Sequence, residues 1–181
     1  MNFRTTLLIA GACATPALTA QAQPAEDSSS VWTLQDENAS VSAARLEDRF
    51  YVNGLRLGWA SPTTAVPDFL GDLGHTLWGA GQQRVAFDLT QRIYTPALTN
   101  STVPSPYDRP YAGVLLGNFS LLNDSEDTRS VLTLSLGLVG PGAGGEGVQN
   151  GFHDGIGQKH ILGWGGQIQN TPAWKPTRFR H

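Results

Sequence analysis

The stretch Thr128–Val139, T-R-S-V-L-T-L-S-L-G-L-V, decides the fold. Leu132, Leu134, Leu136 and Leu138 fall on one side of an extended chain, with Thr133, Ser135 and Gly137 on the other, because side chains alternate along a strand. A helix of the same composition would scatter the leucines around its girth. The prediction is therefore a strand with one large apolar face and one small polar face.

Working outward, the same alternation recurs. Val85 to Tyr94 sets Val85, Phe87, Leu89 and Ile93 against Arg84, Ala86, Asp88, Thr90 and Arg92. Phe50 to Ser61 puts Tyr51, Leu55, Leu57 and Trp59 on one face. Val31 to Asn38 and Tyr111 to Leu122 complete a set of five predicted strands, and Trp164 to Asn170 is a weak sixth. Asn123 to Asp127 reads as a tight polar turn, and the segment 62–81 as a loop holding one or two helical turns around Phe69, Leu70, Leu73, Leu77 and Trp78.

The 181 residues suit one domain. Residues 1–22 have the layout of a secretory signal peptide: Arg4, an apolar run from Thr6 to Ala12, then Ala20-Gln21-Ala22 before the expected cut. Residues 23–30 form a Ser-rich acidic leader, expected to be disordered. Removing 1–22 takes away the single cysteine and leaves 11 basic against 15 acidic residues. Disulfides and thiolate metal sites are thereby excluded from the mature chain. No basic patch with interleaved aromatics is present, which argues against a nucleic-acid partner. No later window offers about twenty consecutive apolar residues, so a spanning helix is excluded while a spanning sheet is not.

An apolar face of this kind meets a second sheet in a soluble sandwich, or lipid in an outer-membrane barrel. Export, the lack of thiols and the aromatic-ended strands favour the barrel. Five or six strands fall short of the smallest common closed barrel, and an open edge is not tolerated in hydrocarbon. The C-terminal run Trp174–His181 reads as basic and broken by proline. The fold expected is thus all-β: an antiparallel transmembrane β-barrel of outer-membrane type, present as a first half of five to six strands, with a short helix in one loop.

That helix belongs to the stretch 140–167, G-P-G-A-G-G-E-G-V-Q-N-G-F-H-D-G-I-G-Q-K-H-I-L-G-W-G-G-Q. Val148, Phe152 and Ile156 recur every four residues, and Gln149 and His153 stand four apart on a neighbouring face. With Glu146 and Asp154 they make the densest cluster of acid/base groups in the chain.

Four segments, D-E-N-A (36–39), D-R-F-Y-V-N-G-L (48–55), D-R-P-Y-A-G (108–113) and G-P-G-A-G-G-E-G-V-Q-N-G-F-H (140–153), followed by Trp164 and Gln167, resemble in order and spacing the outer-membrane lipid A 3′-O-deacylases of the LpxR type. The match runs from about Val31 to Asn170 and corresponds to the N-terminal half of that family's twelve-stranded barrel. The resemblance implies a calcium-dependent esterase that removes the acyloxyacyl chain at the 3′ position of lipid A in the outer membrane, with lipopolysaccharide as partner. It places the water-activating base at His153 and a catalytic asparagine at Asn38. Gln149 joins the catalytic set as a supporting hydrogen-bond partner. Arg109 is expected either to meet a phosphate or sugar of lipid A or to pair with Asp108 and fix the Pro110 turn. Four departures bear on calcium and the site: Ala39 stands for an aspartate, Val52 for a threonine, Lys159 for a glutamate, and Ser101-Thr102 for a Lys-Arg pair. A hard cation needs several oxygen donors, so these changes weaken a calcium site. The contrasting reading is a non-catalytic outer-membrane or periplasmic β protein, a decayed relative or a lipid-binding module.

Overall fold

The computed structural model describes residues 26–38, 51–99 and 101–181. The expected signal peptide, the start of the leader, Ala39 and the connection through Asp48 lie outside the described residues, as do the side chains of Asn38 and Val52. The described chain forms one six-stranded antiparallel sheet in sequence order, with β1 Val31–Asn38, β2 Tyr51–Ala60, β3 Gln82–Tyr94, β4 Ala112–Asp124, β5 Arg129–Val139 and β6 Thr171–Arg180. Helix α1 (Asp68–Trp78) lies between β2 and β3, and helix α2 (Gly145–Gly155) between β5 and β6. No described helix is long and apolar enough to cross a membrane. The wall is a sheet of the outer-membrane barrel type.

Register shows why these residues make a wall with two unlike faces. Leu57, Leu89, Gly117 and Leu136 stand in one row across β2 to β5, and Trp59, Phe87, Phe119 and Leu134 in the next row on that face. The Phe87 and Phe119 rings meet at 5.1 Å. These side chains are exposed or half-exposed, as a lipid-facing band requires. The opposite face is concave, encloses about 500 Å³ and is lined by Arg56, Asp88, Thr90 and Asn118 among others. There the Asp88 carboxylate accepts from Asn118 at 2.7 Å, from Thr90 at 2.9 Å and from Arg56 at 3.2 Å. A charge on an inner wall persists when its lone pairs are filled in this way.

Two expectations are corrected. The weak sixth strand expected at 164–170 is instead a 3-10 turn, Gly163–Gly166, that buries Trp164 completely. The actual sixth strand is the stretch read as proline-broken. Pro172 and Pro176 are four residues apart and pair with Leu138 and Leu134. They therefore share one orientation to the ladder, and a register that turns one missing N–H away from β5 turns both. Helix α1 also runs eleven residues, longer than the one or two turns expected. Gly71 and Gly74 let it approach the wall closely enough for packing to extend it.

Candidate functional site

At the end of the sheet that carries the connections 95–111 and 140–170, the chain leaves β5 and folds back over the wall. Gly140 takes φ 115° and Gly144 φ 70°, left-handed values that side chains resist, and α2 begins immediately afterwards. The side on which α2 lands follows from register. Gln91 and Ile93 of β3 and Gly113 of β4 continue the alternation of Phe87 and Leu89. The Gln91 side-chain amide donates to the carbonyl of Ala143 at 2.7 Å. A Cβ on Gly113 would lie 2.9 Å from the amide nitrogen of Gly145. Helix α2 is thus seated on the lipid-facing side of the wall.

Beneath it sits a small sealed core of Ile93, Tyr111 and Trp164, all fully or almost fully buried. The Tyr111 and Trp164 rings lie 5.0 Å apart at 43°, an arrangement worth more than its buried area alone. The Trp164 indole N–H donates to the Gln149 side-chain oxygen at 2.9 Å, a buried bond between the turn and the helix. The Tyr111 hydroxyl is buried with no hydrogen-bond partner. Burial, and secondarily the carboxylate of Asp108, pushes its pKa above the ordinary tyrosine value.

Helix α2 then grips the segment that follows it. Asn150 accepts from the amide of Ile161 at 2.9 Å and donates to the same residue's carbonyl at 3.4 Å. The His153 Nδ1 lies 2.7 Å from the carbonyl oxygen of Lys159. A carbonyl only accepts, so in this bond Nδ1 carries the hydrogen. Asp154 and His160 meet at 2.7 Å. His153 is partly exposed, and the bond to Lys159 orients its ring.

The other expected residues fall around this centre. Asn38 ends β1 in the backbone row Asn38, Asn53, Ile93, Gly113, whose β4 member meets the start of α2. Gln149 is not a free amide beside the imidazole: it is almost fully buried and its oxygen is committed to Trp164. Arg109 is in the exposed part of the 95–111 loop. That turn is fixed by Asp108, whose carboxylate accepts from the amides of Ala97 at 2.9 Å and Arg109 at 2.7 Å. Sequence reading passed over Asn150, Tyr111 and Gln91. An asparagine in mid-helix is unfavourable unless its amide has a specific task, and that was the one signal available.

Calcium would draw on oxygen donors in the same neighbourhood. Among the described residues no three His, Cys, Asp or Glu side chains converge as a metal requires. The Asp36 carboxylate accepts from Asn53 at 3.3 Å, and position 159 brings an ammonium group. A calcium site needs several oxygen donors, and the side chain of Asn38 and the segment through Asp48 lie outside the described residues.

Comparison with known proteins agrees with this layout. No curated protein matches the chain. Among solved structures, LpxR from Salmonella typhimurium superimposes with a TM-score of 0.58 at 25% identity, over 72% of this chain and 40% of that one. The present chain thus spans less than half the length of that relative. The family model described as outer membrane protein LpxR matches residues 6–180. With a match of that extent, and a fold that superimposes on a solved member, the chain belongs to the LpxR family of outer-membrane proteins.

Proposed function

We propose that this chain is an outer-membrane ester hydrolase of the lipid A 3′-O-deacylase type, with His153 as its general base. The observation that carries the reading is the imidazole whose Nδ1–H is held by the Lys159 carbonyl, on a helix seated against the lipid-facing side of the wall. A lipid ester reaches such a base sideways from the membrane, without leaving the leaflet. His153 Nε2 takes a proton from water, and the hydroxide adds to the ester carbonyl. The tetrahedral intermediate collapses by expelling the sugar 3′ oxygen, which recovers the proton from the imidazolium. We assign Asn38, the position the family resemblance points to at the end of β1, to polarise the carbonyl through its side-chain amide. Gln149 and Trp164 position the helix, and we assign Arg109, exposed in the loop, to meet the headgroup.

One observation favours a second reading. With a lysine at 159, where the resemblance expects a glutamate, the site suits a non-catalytic relative that binds lipid without cleaving it. Mass spectrometry of lipid A from cells expressing the chain, and from cells expressing His153→Ala, separates the two. The hydrolase reading expects 3′-deacylated lipid A with the intact chain, falling by a factor on the order of 10² to 10⁴ in rate without the imidazole. Unchanged lipid A in both strains selects the non-catalytic reading.

A further inference from the structure

The far end of the wall carries α1, a helix the proposed chemistry does not use. It turns Leu70, Gly71, Gly74, Leu77 and Trp78 inward, toward the sheet. A Cβ on Gly71 would lie 3.6 Å from the Gln83 side-chain oxygen, and one on Gly74 would collide with that amide, so helix and strand touch across Gln83. Gln83 shares its face with Val85, Phe87 and Leu89, and its row continues through Asn123 and Ser130. Helix α1 is therefore on the lipid-facing side too, just beyond the last apolar row.

Its two remaining flanks differ in kind. Phe69 and Leu73, one turn apart, are 70% and 42% exposed. Asp68, Asp72 and His75 occupy the opposite flank and, with Glu26, rim a recess of about 400 Å³. A helix with an apolar flank, a charged flank and a wall behind it has the build of one lying in a membrane–water interface.

We propose that α1 is an interfacial helix that docks into the lipid leaflet opposite the α2 site, with Phe69 and Leu73 among the acyl chains and Asp68 and Asp72 at headgroup level. Continuity with the Val85–Phe87–Phe119 face supplies the occupant, because the same membrane that covers those side chains reaches the helix next. Charge supplies the lipid class. Carboxylates repel the phosphates of a strongly anionic leaflet and suit an ammonium-bearing zwitterionic phospholipid. Long connections mark the extracellular end of such sheets and short turns the periplasmic end. The 125–128 turn lies at the α1 end, so the docked leaflet is the periplasmic one.

The test uses the full chain with Cys13, the single cysteine, changed to serine. A new cysteine at Phe69→Cys carries an environment-sensitive fluorophore, with Glu126→Cys in the exposed turn as control. Both are reconstituted in vesicles of phosphatidylethanolamine with a minor share of phosphatidylglycerol. Expected is severalfold weaker quenching by iodide at 69 than at 126, and strong quenching at 69 by doxyl-labelled lipid. Iodide quenching equal to the control overturns the proposal. Shielding from both quenchers overturns it as well, since protein and not lipid would then cover the helix. Leu73→Cys repeats the measurement should Phe69→Cys fail to fold. Lipid quenching is expected to fall in vesicles of phosphatidylglycerol alone, and equal quenching there overturns the headgroup preference. None of these readouts depends on ester hydrolysis.

Discussion

The two helices have the same length, eleven residues, and sit on the same side of one sheet at opposite ends, yet they are held by different forces. Helix α2 is fastened by directed polar contacts: Gln149 to Trp164, Asn150 to Ile161, His153 to the Lys159 carbonyl. Helix α1 is held mainly by shape, through two glycines laid on Gln83, whose side-chain nitrogen and oxygen are buried without partners. Hydrogen bonds fix orientation to a few tenths of an ångström, whereas apolar contact fixes only proximity. A base has to be aimed, while an interfacial helix has only to stay near the surface. The difference in fastening matches the difference in assigned task.

The sharpest way to break the contrast is Trp164→Ala. The indole is fully buried and bonded to Gln149, so its loss is expected to cost about 3–5 kcal/mol, with the orphaned glutamine adding to the damage. The change should release α2 as a unit, read as new protease cleavage within 140–170 of the folded protein in detergent. Leu77→Ala at α1 removes a half-buried side chain and is expected to cost about 1 kcal/mol. Equal proteolytic release of the two helices would show that both are held alike.

What the sequence revealed follows the same division. The leucines of β5 and the alternation around Phe87 were readable because a lipid-facing wall repeats one rule over many residues, and repetition survives local noise. The site was legible only in part. His153 and the helix around it stood out by spacing and by resemblance, but nothing local says that Gln149 points at an indole fifteen residues later, or that Tyr111 closes the core beneath. Such contacts are set by long-range packing, which no short window encodes. The sixth strand was misplaced for a related reason: two prolines outweighed a register in which both take the same orientation to the ladder.

A backbone-level change sharpens the comparison next. A Cβ at Gly113 would meet the Gly145 nitrogen at 2.9 Å and Ala143 at 3.3 Å, and backbone cannot step aside as a side-chain tip does. Gly113→Ala should lift the start of α2 from the wall while the strands stay paired. Under the proposed hydrolase function, the expected signature is a large loss of lipid A deacylation with unchanged heat-modifiable migration on gels. Gly74→Ala at α1 meets only the movable end of Gln83 and should leave both unchanged.

Gln149→Leu keeps the volume but strands the buried Trp164 N–H, for an expected cost of about 1–3 kcal/mol. Near-ultraviolet circular dichroism of the tryptophan band follows it. A neutral result would mean that stacking on Tyr111 holds the indole by itself.

The smallest effect at neutral pH is expected from Tyr111→Phe, because the hydroxyl removed has no hydrogen-bond partner and taking it away leaves no other group stranded. Its consequence lies in alkali. Burial raises the pKa of Tyr111 in the folded protein, while the unfolded chain titrates near the ordinary value of about 10. Below that pH both states hold the proton and the Tyr111–Trp164 contact contributes in full. Above it the unfolded state sheds the proton first, so fewer protons are bound unfolded than folded and stability falls as pH rises. Urea unfolding of the protein in detergent, followed at pH 8 and pH 11, should show a drop for the parent chain that Tyr111→Phe diminishes. An equal drop in both would place the alkaline loss in other groups and leave the ring stack as purely apolar packing.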